Sequence, residues 1–523
     1  MASDAHPGDD PPFGHAAELE PIIAARDKAP AERGKEGRSH GCSADFAGDG
    51  SRALFPTRSE FAIARFHCAC PAFHPSRSSM RRVLTAALAL FALSSAVEAQ
   101  GLREKISQLF IFGDGEDPLF LSGSADPNNP ADIRAHGSHF VPSAVSANGS
   151  LISFITNAIS ANIANAPIGS TSGGASFRFE AGVPVRVEAS AGPIFAERGQ
   201  TIGRGRTVIG VGRTSSHLSS LRGVDLNNIE LFFTHENVDF AGCDSIYHAS
   251  CKLMGVPNLE NDVMQFKLAL DLNVAVTSIY ATYGLTDRLD VGFVLPLVST
   301  SLHGQSDANI FPFGGTTAAH FFAGTPSNPV LNATRSVDGS AFGLGDVAVR
   351  TKFSVHQSEK TNIALLADAR FATGDDSELL GSGQFSARGL AIVSARFGPM
   401  AAHVNSGYAF RGGRQQNDAV LATAGFDQLI SHHVTLAADV VSAMQVGRSK
   451  LHLPPPVVYD VPFKRTVNPT TIPDIADDVV NGSFGFKFVT DNGFTIITNA
   501  LVPLNRGGLR ANLTYTTGVE FAF

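Results

Sequence analysis

Ala511-Asn-Leu-Thr-Tyr-Thr-Thr-Gly-Val-Glu-Phe-Ala-Phe523 is the stretch that decides the fold. Successive side chains of an extended strand point to opposite faces. Ala511, Leu513, Tyr515, Thr517, Val519, Phe521 and Phe523 therefore share one face, and Asn512, Thr514, Thr516, Gly518, Glu520 and Ala522 share the other. One face suits lipid and the other suits a wet interior.

The same period of two recurs upstream. Phe266, Leu268, Leu270, Leu272 and Val274 alternate with Lys267, Asp271 and Asn273. Leu289, Val291, Phe293, Leu295 and Leu297 alternate with Asp290 and Gly292. Val347, Val349, Phe353 and Val355 alternate with Ala348, Arg350, Lys352, Ser354 and His356. Ile363, Leu365, Ala367, Ala369 and Phe371 alternate with Asp368 and Arg370, and Phe484, Phe486 and Phe488 with Ser483, Gly485 and Lys487. A soluble sandwich has this period too, but here charges stand mid-strand and the connections come in two lengths. Short turns fall at Gly284–Arg288, Gln357–Lys360, Phe397–Pro399, Ile430–His433 and Asp491–Gly493. Longer connections fall at about 237–262, 304–342, 373–385, 411–418, 448–478 and 503–510. Short turns alternating with long loops mark a bacterial outer-membrane barrel. Counting back from Phe523 gives twelve strands to about residue 203, and fourteen if 175–188 and 228–236 also cross. The expectation is an all-β, antiparallel transmembrane β-barrel of 12–14 strands over 203–523. Pro296 lies inside a strand, where a missing backbone donor calls for a kink or bulge.

Charged residues make up only 17% of the 523, while Trp is absent and Phe numbers 38, an unusual bias for a membrane barrel. The net charge of −8 offers no basic footprint for nucleic acid. The one continuous apolar run, Val83–Leu93, is too short for a spanning helix, which needs about 20 residues. Met80-Arg81-Arg82 before it and Val97-Glu98-Ala99 after it give the charged start and small-residue cleavage site of a secretory signal. Residues 80–99 are thus expected to be a signal peptide with Met80 as the true start, and 1–79, rich in Pro, Ala, Arg and Gly, a disordered or over-called leader. In 100–202, Leu102, Ile106, Leu109 and Phe110 predict a short amphipathic helix. Leu151, Ile152, Ile155, Ile159 and Ile163 predict a second. With a Pro/Asn/Asp/Gly-rich loop between them, this region is expected to be a partly helical plug inside the barrel or a periplasmic segment.

Tyr283-Gly-Leu-Thr-Asp-Arg-Leu-Asp-Val-Gly292, Gly343-Leu-Gly-Asp346, Thr373-Gly-Asp375 and Leu380-Gly-Ser-Gly383 resemble the outer-membrane proteins grouped as the meta-pathway phenol-degradation family, over roughly 260–450. Ala372 stands where that family usually has Pro. The resemblance implies a barrel channel linked to uptake of hydrophobic aromatic compounds, and it carries no catalytic residues across. A strand closing on Phe likewise resembles the terminal signal read by the barrel-assembly machinery, with Tyr515, Val519, Phe521 and Phe523 as its candidate residues.

The candidate lumen-lining charges are Lys267, Asp271, Asp290, Arg350, Lys352, Asp368, Arg370, Asp439 and Lys487. They either meet a passing solute or pair with one another in a closed barrel. Cys243 and Cys251, in a predicted outer loop, are expected to form a local disulfide in an oxidising compartment. No four-ligand metal pattern or cofactor motif occurs. Thr373-Gly-Asp375-Asp376 lacks calcium-loop spacing, His432 and His433 point apart, and Gly203-Arg-Gly205 lacks the ending of a phosphate loop. The expected function is passive movement of small, hydrophobic or aromatic solutes across the outer membrane. The expected partners are outer-membrane lipids, the assembly machinery and the solute, not nucleic acid. A structural or adhesive barrel and a lipid-modifying enzyme are the alternatives; no nucleophile stands beside a convincing base, so no enzyme activity is expected.

Overall fold

The computed structural model describes residues 101–110, 112, 153–162, 177–180, 183–186, 190–233, 263–311, 322–325, 328–412, 416–453, 455–459 and 464–523. Twelve strands form the barrel: β1 (Thr207–Leu221), β2 (Val263–Gly284), β3 (Leu289–Phe311), β4 (Ala348–Gln357), β5 (Thr361–Arg370), β6 (Ser386–Phe397), β7 (Met400–Phe410), β8 (Ala419–Ser431), β9 (Val434–Gln445), β10 (Val479–Val489), β11 (Phe494–Pro503) and β12 (Leu509–Ala522). Each pairs antiparallel with the next, and β12 returns to β1. Thr207 N donates to Phe523 O at 2.8 Å and Phe523 N to Thr207 O at 2.9 Å, so the seam closes at the last residue. Closure removes the unpaired edges that lipid would not tolerate.

The short turns fall where expected, but the long connection expected at 304–342 is largely strand, with residues up to Phe311 continuing β3 and Asn332–Leu344 pairing with them; the one expected at 237–262 lies outside the described residues. Residues 177–180 and 183–186 form a separate hairpin, and Ile229–Phe233 pairs with the far end of β2 and by one bridge, Leu231 to Thr470, with the segment before β10. Neither crosses, and the count is twelve. The shortest barrel strands have ten residues, about what a tilted transmembrane strand requires. Their outward positions carry exposed apolar side chains, among them Phe353, Leu365, Val404, Phe484, Leu513 and Val519.

β2 and β3, with 22 and 23 residues, continue beyond this belt. β3 outlasts β4 and pairs its far half with Asn332–Leu344. At the change of partner, Gly345-Asp-Val347 faces only Leu295-Pro296, a one-residue bulge. Pro296 contributes its carbonyl there, accepting from Gly345 N at 2.8 Å. The distortion expected at Pro296 thus falls on the strand opposite.

Two helices pack at the loop end, α1 (Leu102–Gln108) and α2 (residues 153–162). Their apolar faces join β2 and β3 in the largest core among the described residues, which includes Leu102, Ile106, Leu109, Phe110, Ile155, Ile159, Phe266 and Leu270. Phe266 lies at its centre, with ring centroids of Phe233 at 4.6 Å, Phe112 at 5.1 Å and Phe110 at 6.2 Å.

Three of the four motifs of the family resemblance, Gly343–Asp346, Thr373–Asp375 and Leu380–Gly383, meet in one knot at this end, while Tyr283–Gly292 spans a short turn at the other. Asp346 accepts from Gly374 N at 3.1 Å, Ser382 N at 2.8 Å and Ser382 Oγ at 2.6 Å. Thr373 Oγ1 donates to Gly345 O at 2.7 Å. A Cβ on Gly381 would lie 2.6 Å from Asp346 Oδ1 and 2.8 Å from Gly374 Cα, so only glycine permits this approach.

A chamber between a strap and two helices

Of the predicted lumen residues, Asp290, Arg350, Lys352, Asp368, Arg370, Asp439 and Lys487 are buried on the inner face of the wall. Lys267 and Asp271 stand elsewhere. In the far half of β2 the apolar residues Phe266, Leu268, Leu270 and Leu272 turn inward against the helices. The charges turn outward, where Lys267 lies 3.7 Å from Glu230 and Asp271 3.4 Å from His217. Here the interior is the oily side because protein, not water, fills it. Leu513, Tyr515, Val519 and Phe523 face outward on β12, while Glu520 points in and accepts from Tyr280 at 2.7 Å. Phe521 is partly buried and packs between Phe494 and Phe523. Cys243 and Cys251 lie outside the described residues.

At the turn end the interior is crossed by residues 190–202, a strap without regular structure. Its backbone is satisfied by the wall, as buried amides require. Ala191 N donates to Thr435 Oγ1 at 2.9 Å, Gly199 N to Ser394 Oγ at 3.1 Å and Ile202 N to Asp290 Oδ2 at 3.1 Å. Lys487 Nζ donates to Ala191 O at 3.4 Å. The Asn405 carboxamide, oriented to satisfy both its ends, clasps the backbone of Glu197, accepting at 2.7 Å and donating at 3.0 Å. Ile194 packs on Ala437 and Ile497.

Two strap charges complete the wall's. Glu197 lies 3.6 Å from Lys352 and 3.9 Å from Arg350. Arg198 pairs with Asp427 at 2.5 Å, and Ser190 bonds both. His403 sits between Asp427 at 3.5 Å and Asp439 at 2.5 Å. Asp368 is shared by Arg350 at 2.5 Å, Arg370 at 3.3 Å and Arg388 at 3.3 Å. A charge taken out of water costs several kcal/mol unless a partner offsets it, so strap and wall hold each other in place.

The loop end is tied by Arg222, whose side chain is fully buried. It donates to Asp477 at 2.8 and 2.9 Å, to Ser449 Oγ at 2.6 Å and to Pro473 O at 3.2 Å, with its guanidinium 5.6 Å from the Phe154 ring of α2. Arg103 of α1 holds α2 through Asn157 at 2.9 Å and Thr156 at 3.1 Å.

Between strap and helices lies a cavity of about 340 Å³, within the size range of small-molecule sites. Phe195 and Glu197 form its floor, and Phe154, Ala158 and Ala161 of α2 its roof. Leu218, Val274, Val276, Leu390, Leu421 and Leu501 supply apolar wall, and Arg350, Arg388 and Arg411 cationic wall. No group of three or more metal-ligating side chains occurs among the described residues.

The family model described as "Putative MetA-pathway of phenol degradation" matches residues 260–441, roughly a third of the chain. That segment takes in β2 through most of β9 and lies within the region of the sequence resemblance. Similar solved structures include an outer membrane channel from Pseudomonas putida F1, with 13% identity, 62% of this chain and 97% of that one covered, and a TM-score of 0.35. A toluene transporter from P. putida is 11% identical, with 61% and 89% covered and a TM-score of 0.28. A porin, NanC, is 10% identical, with 47% and 93% covered and a TM-score of 0.29. Likeness at these scores carries no argument, and the fold rests on the register of the strands themselves. No curated protein matches.

The sequence reading missed the strap and its wall partners Asn405, His403 and Asp427. The one available signal was Glu197-Arg198, a charged pair inside an apolar, Gly/Pro-containing stretch from Ala191 to Gly199. It has no period, so pattern reading passes over it.

Proposed function

We propose that the chain is an outer-membrane channel for passive uptake of small hydrophobic or aromatic solutes. The carrying observation is the chamber: a cavity of about 340 Å³ enclosed by a twelve-strand barrel with an apolar exterior. The matched family's description, with its reference to phenol degradation, supports an aromatic solute. In this reading residues 100–202 act as the plug, with the strap closing the turn end and α1 and α2 the loop end. Residues 80–99 serve as signal peptide and 1–79 as leader. Lipid surrounds the belt, and the assembly machinery reads β12. The buried charges act first as the strap's anchorage and only then as a surface for solute.

Liposomes carrying the purified protein test this. Phenol and toluene should enter faster than in empty liposomes, and a chain lacking residues 190–202 should admit them faster still, along with small sugars. Equal entry with and without protein, in both forms, overturns transport and leaves a structural barrel.

A further inference from the structure

The lipid-facing belt is not apolar all the way round. From Leu289 to Leu297 every outward residue of β3 is Leu, Val or Phe, and β10 presents Phe488, Phe486 and Phe484 in succession. β1 offers only Ile209 and Val211 before its outward side chains become Arg213, Ser215 and His217, all exposed. Its neighbours share the break. The register sets Thr277 of β2 and Thr517 of β12 on either side of Arg213, and Ala275 and Tyr515 on either side of Ser215. Apolar exposure resumes on β12 at Leu513, so on that strand the break lies inside the belt.

Strand geometry gives its depth. Thr207 pairs with Phe523, whose exposed ring marks the turn-end rim of the belt. Arg213 lies three outward positions further along β1. Each step is about 6.7 Å along the strand, and at the tilt of membrane barrels the three amount to about 15 Å. The apolar band of such barrels is about 25 Å tall, so Arg213 stands near its middle, where a lipid-facing arginine is most costly. Its hydrogen bond goes to a neutral hydroxyl, Thr277 Oγ1, at 3.2 Å. Tyr515 Oη is bonded to Thr498 Oγ1 at 2.8 Å. Guanidinium donors and hydroxyl lone pairs remain that acyl chains do not engage.

We infer that this patch is the interface between two copies of this chain in the membrane. Rotation about the membrane normal preserves depth, so residues meet others of equal height. With the two-fold axis at the seam of β1 and β12, Arg213 of each copy comes to the other's β12. There the partner's Thr517 and the partner's Tyr515 stand at its own level, and the two-fold repeats the contact in reverse. A guanidinium against a tyrosine ring is a favourable pair once desolvated. Ser215, Ala275 and Thr517 are small, which lets two walls approach closely. A lipid phosphate would call for clustered cations at headgroup depth, and Arg213 is the one outward cation in mid-belt among the described residues.

Benzoylphenylalanine placed at Ser215 tests this by photocrosslinking in intact outer membranes, with Val404 on the opposite strand β7 as the control position. Ser215 should give an adduct of two chains and Val404 none. Arg213→Leu should lose most of that adduct while keeping the heat-modifiable gel mobility of a folded barrel. Lipid particles cut directly from the membrane with a styrene–maleic acid polymer should hold the native chain in pairs, a reading that needs no variant to fold. Single chains in those particles overturn the inference. So does a Ser215 position that gives no adduct, or one to lipopolysaccharide or to a different protein. Equal adducts from both positions, or an undiminished adduct in folded Arg213→Leu, overturn it as well.

Discussion

The two ends of the barrel interior are filled by opposite chemistry. At the loop end, α1 and α2 bury leucines, isoleucines and phenylalanines against the inner faces of β2 and β3. At the turn end, the strap buries Glu197 and Arg198 among wall charges. An apolar filling gains by leaving water and is indifferent to small rotations. An ionic filling fits in one arrangement and is costly in any other. The difference assigns an adaptable firmness to the loop end and a position-specific closure to the turn end.

The largest effect should come from the apolar end. Phe266→Ala empties the centre of the aromatic cluster and should cost about 4 kcal/mol, read as a lower urea midpoint in detergent. A loss below 1 kcal/mol would mean the helices are not the source of firmness. Arg198→Ala should cost about 3 kcal/mol, because Asp427 keeps its charge in a buried place. Arg198→Ala/Asp427→Asn should recover a good part of that, and a double variant as unstable as the single would contradict the pairing. Arg222→Gln should cost about 2 kcal/mol, the scale of charge-assisted bonds, and proteolysis should then cut first at 446–453 or 473–478.

The smallest effect lies on the outer surface beyond the belt, where His303 bonds Asp338. That hydrogen bond holds His303 above its ordinary value. The folded state therefore binds the proton more tightly than the unfolded one. Any contribution is complete below the ordinary histidine value and is lost as pH rises through the raised one. Both side chains are well exposed, so the shift should be visible by NMR titration and vanish in Asp338→Asn, with little change in stability.

Strand content was legible because a period of two survives in any strand that separates lipid from a different interior. β12, β4 and β5 show it plainly, and turn residues such as Asp491-Asn-Gly493 fix where strands reverse. What alternation does not reveal is which face is inside. On β12 the apolar face looks out, and on the far half of β2 it looks in. The identical pattern at Phe266-Lys267-Leu268 thus carries the opposite meaning, because helices distant in sequence occupy the space beside it. The strap was illegible for a related reason: its conformation is imposed by the wall, through bonds from residues such as Ser394, Thr435 and Asp290.

The strap runs directly into β1, and Thr207 at the start of β1 bonds Phe523 at the end of β12. These are the contacts of greatest sequence separation in the sheet, and such contacts are slow to form. A constraint on assembly follows. A chain that zipped its seam with the strap still outside would have to bring Glu197 and Arg198 in through the turn-end mouth of a barrel already lined with their unpaired partners. Seating the strap and stitching the seam are therefore linked, and a mutation that delays the strap should appear as slow maturation as well as a weaker barrel.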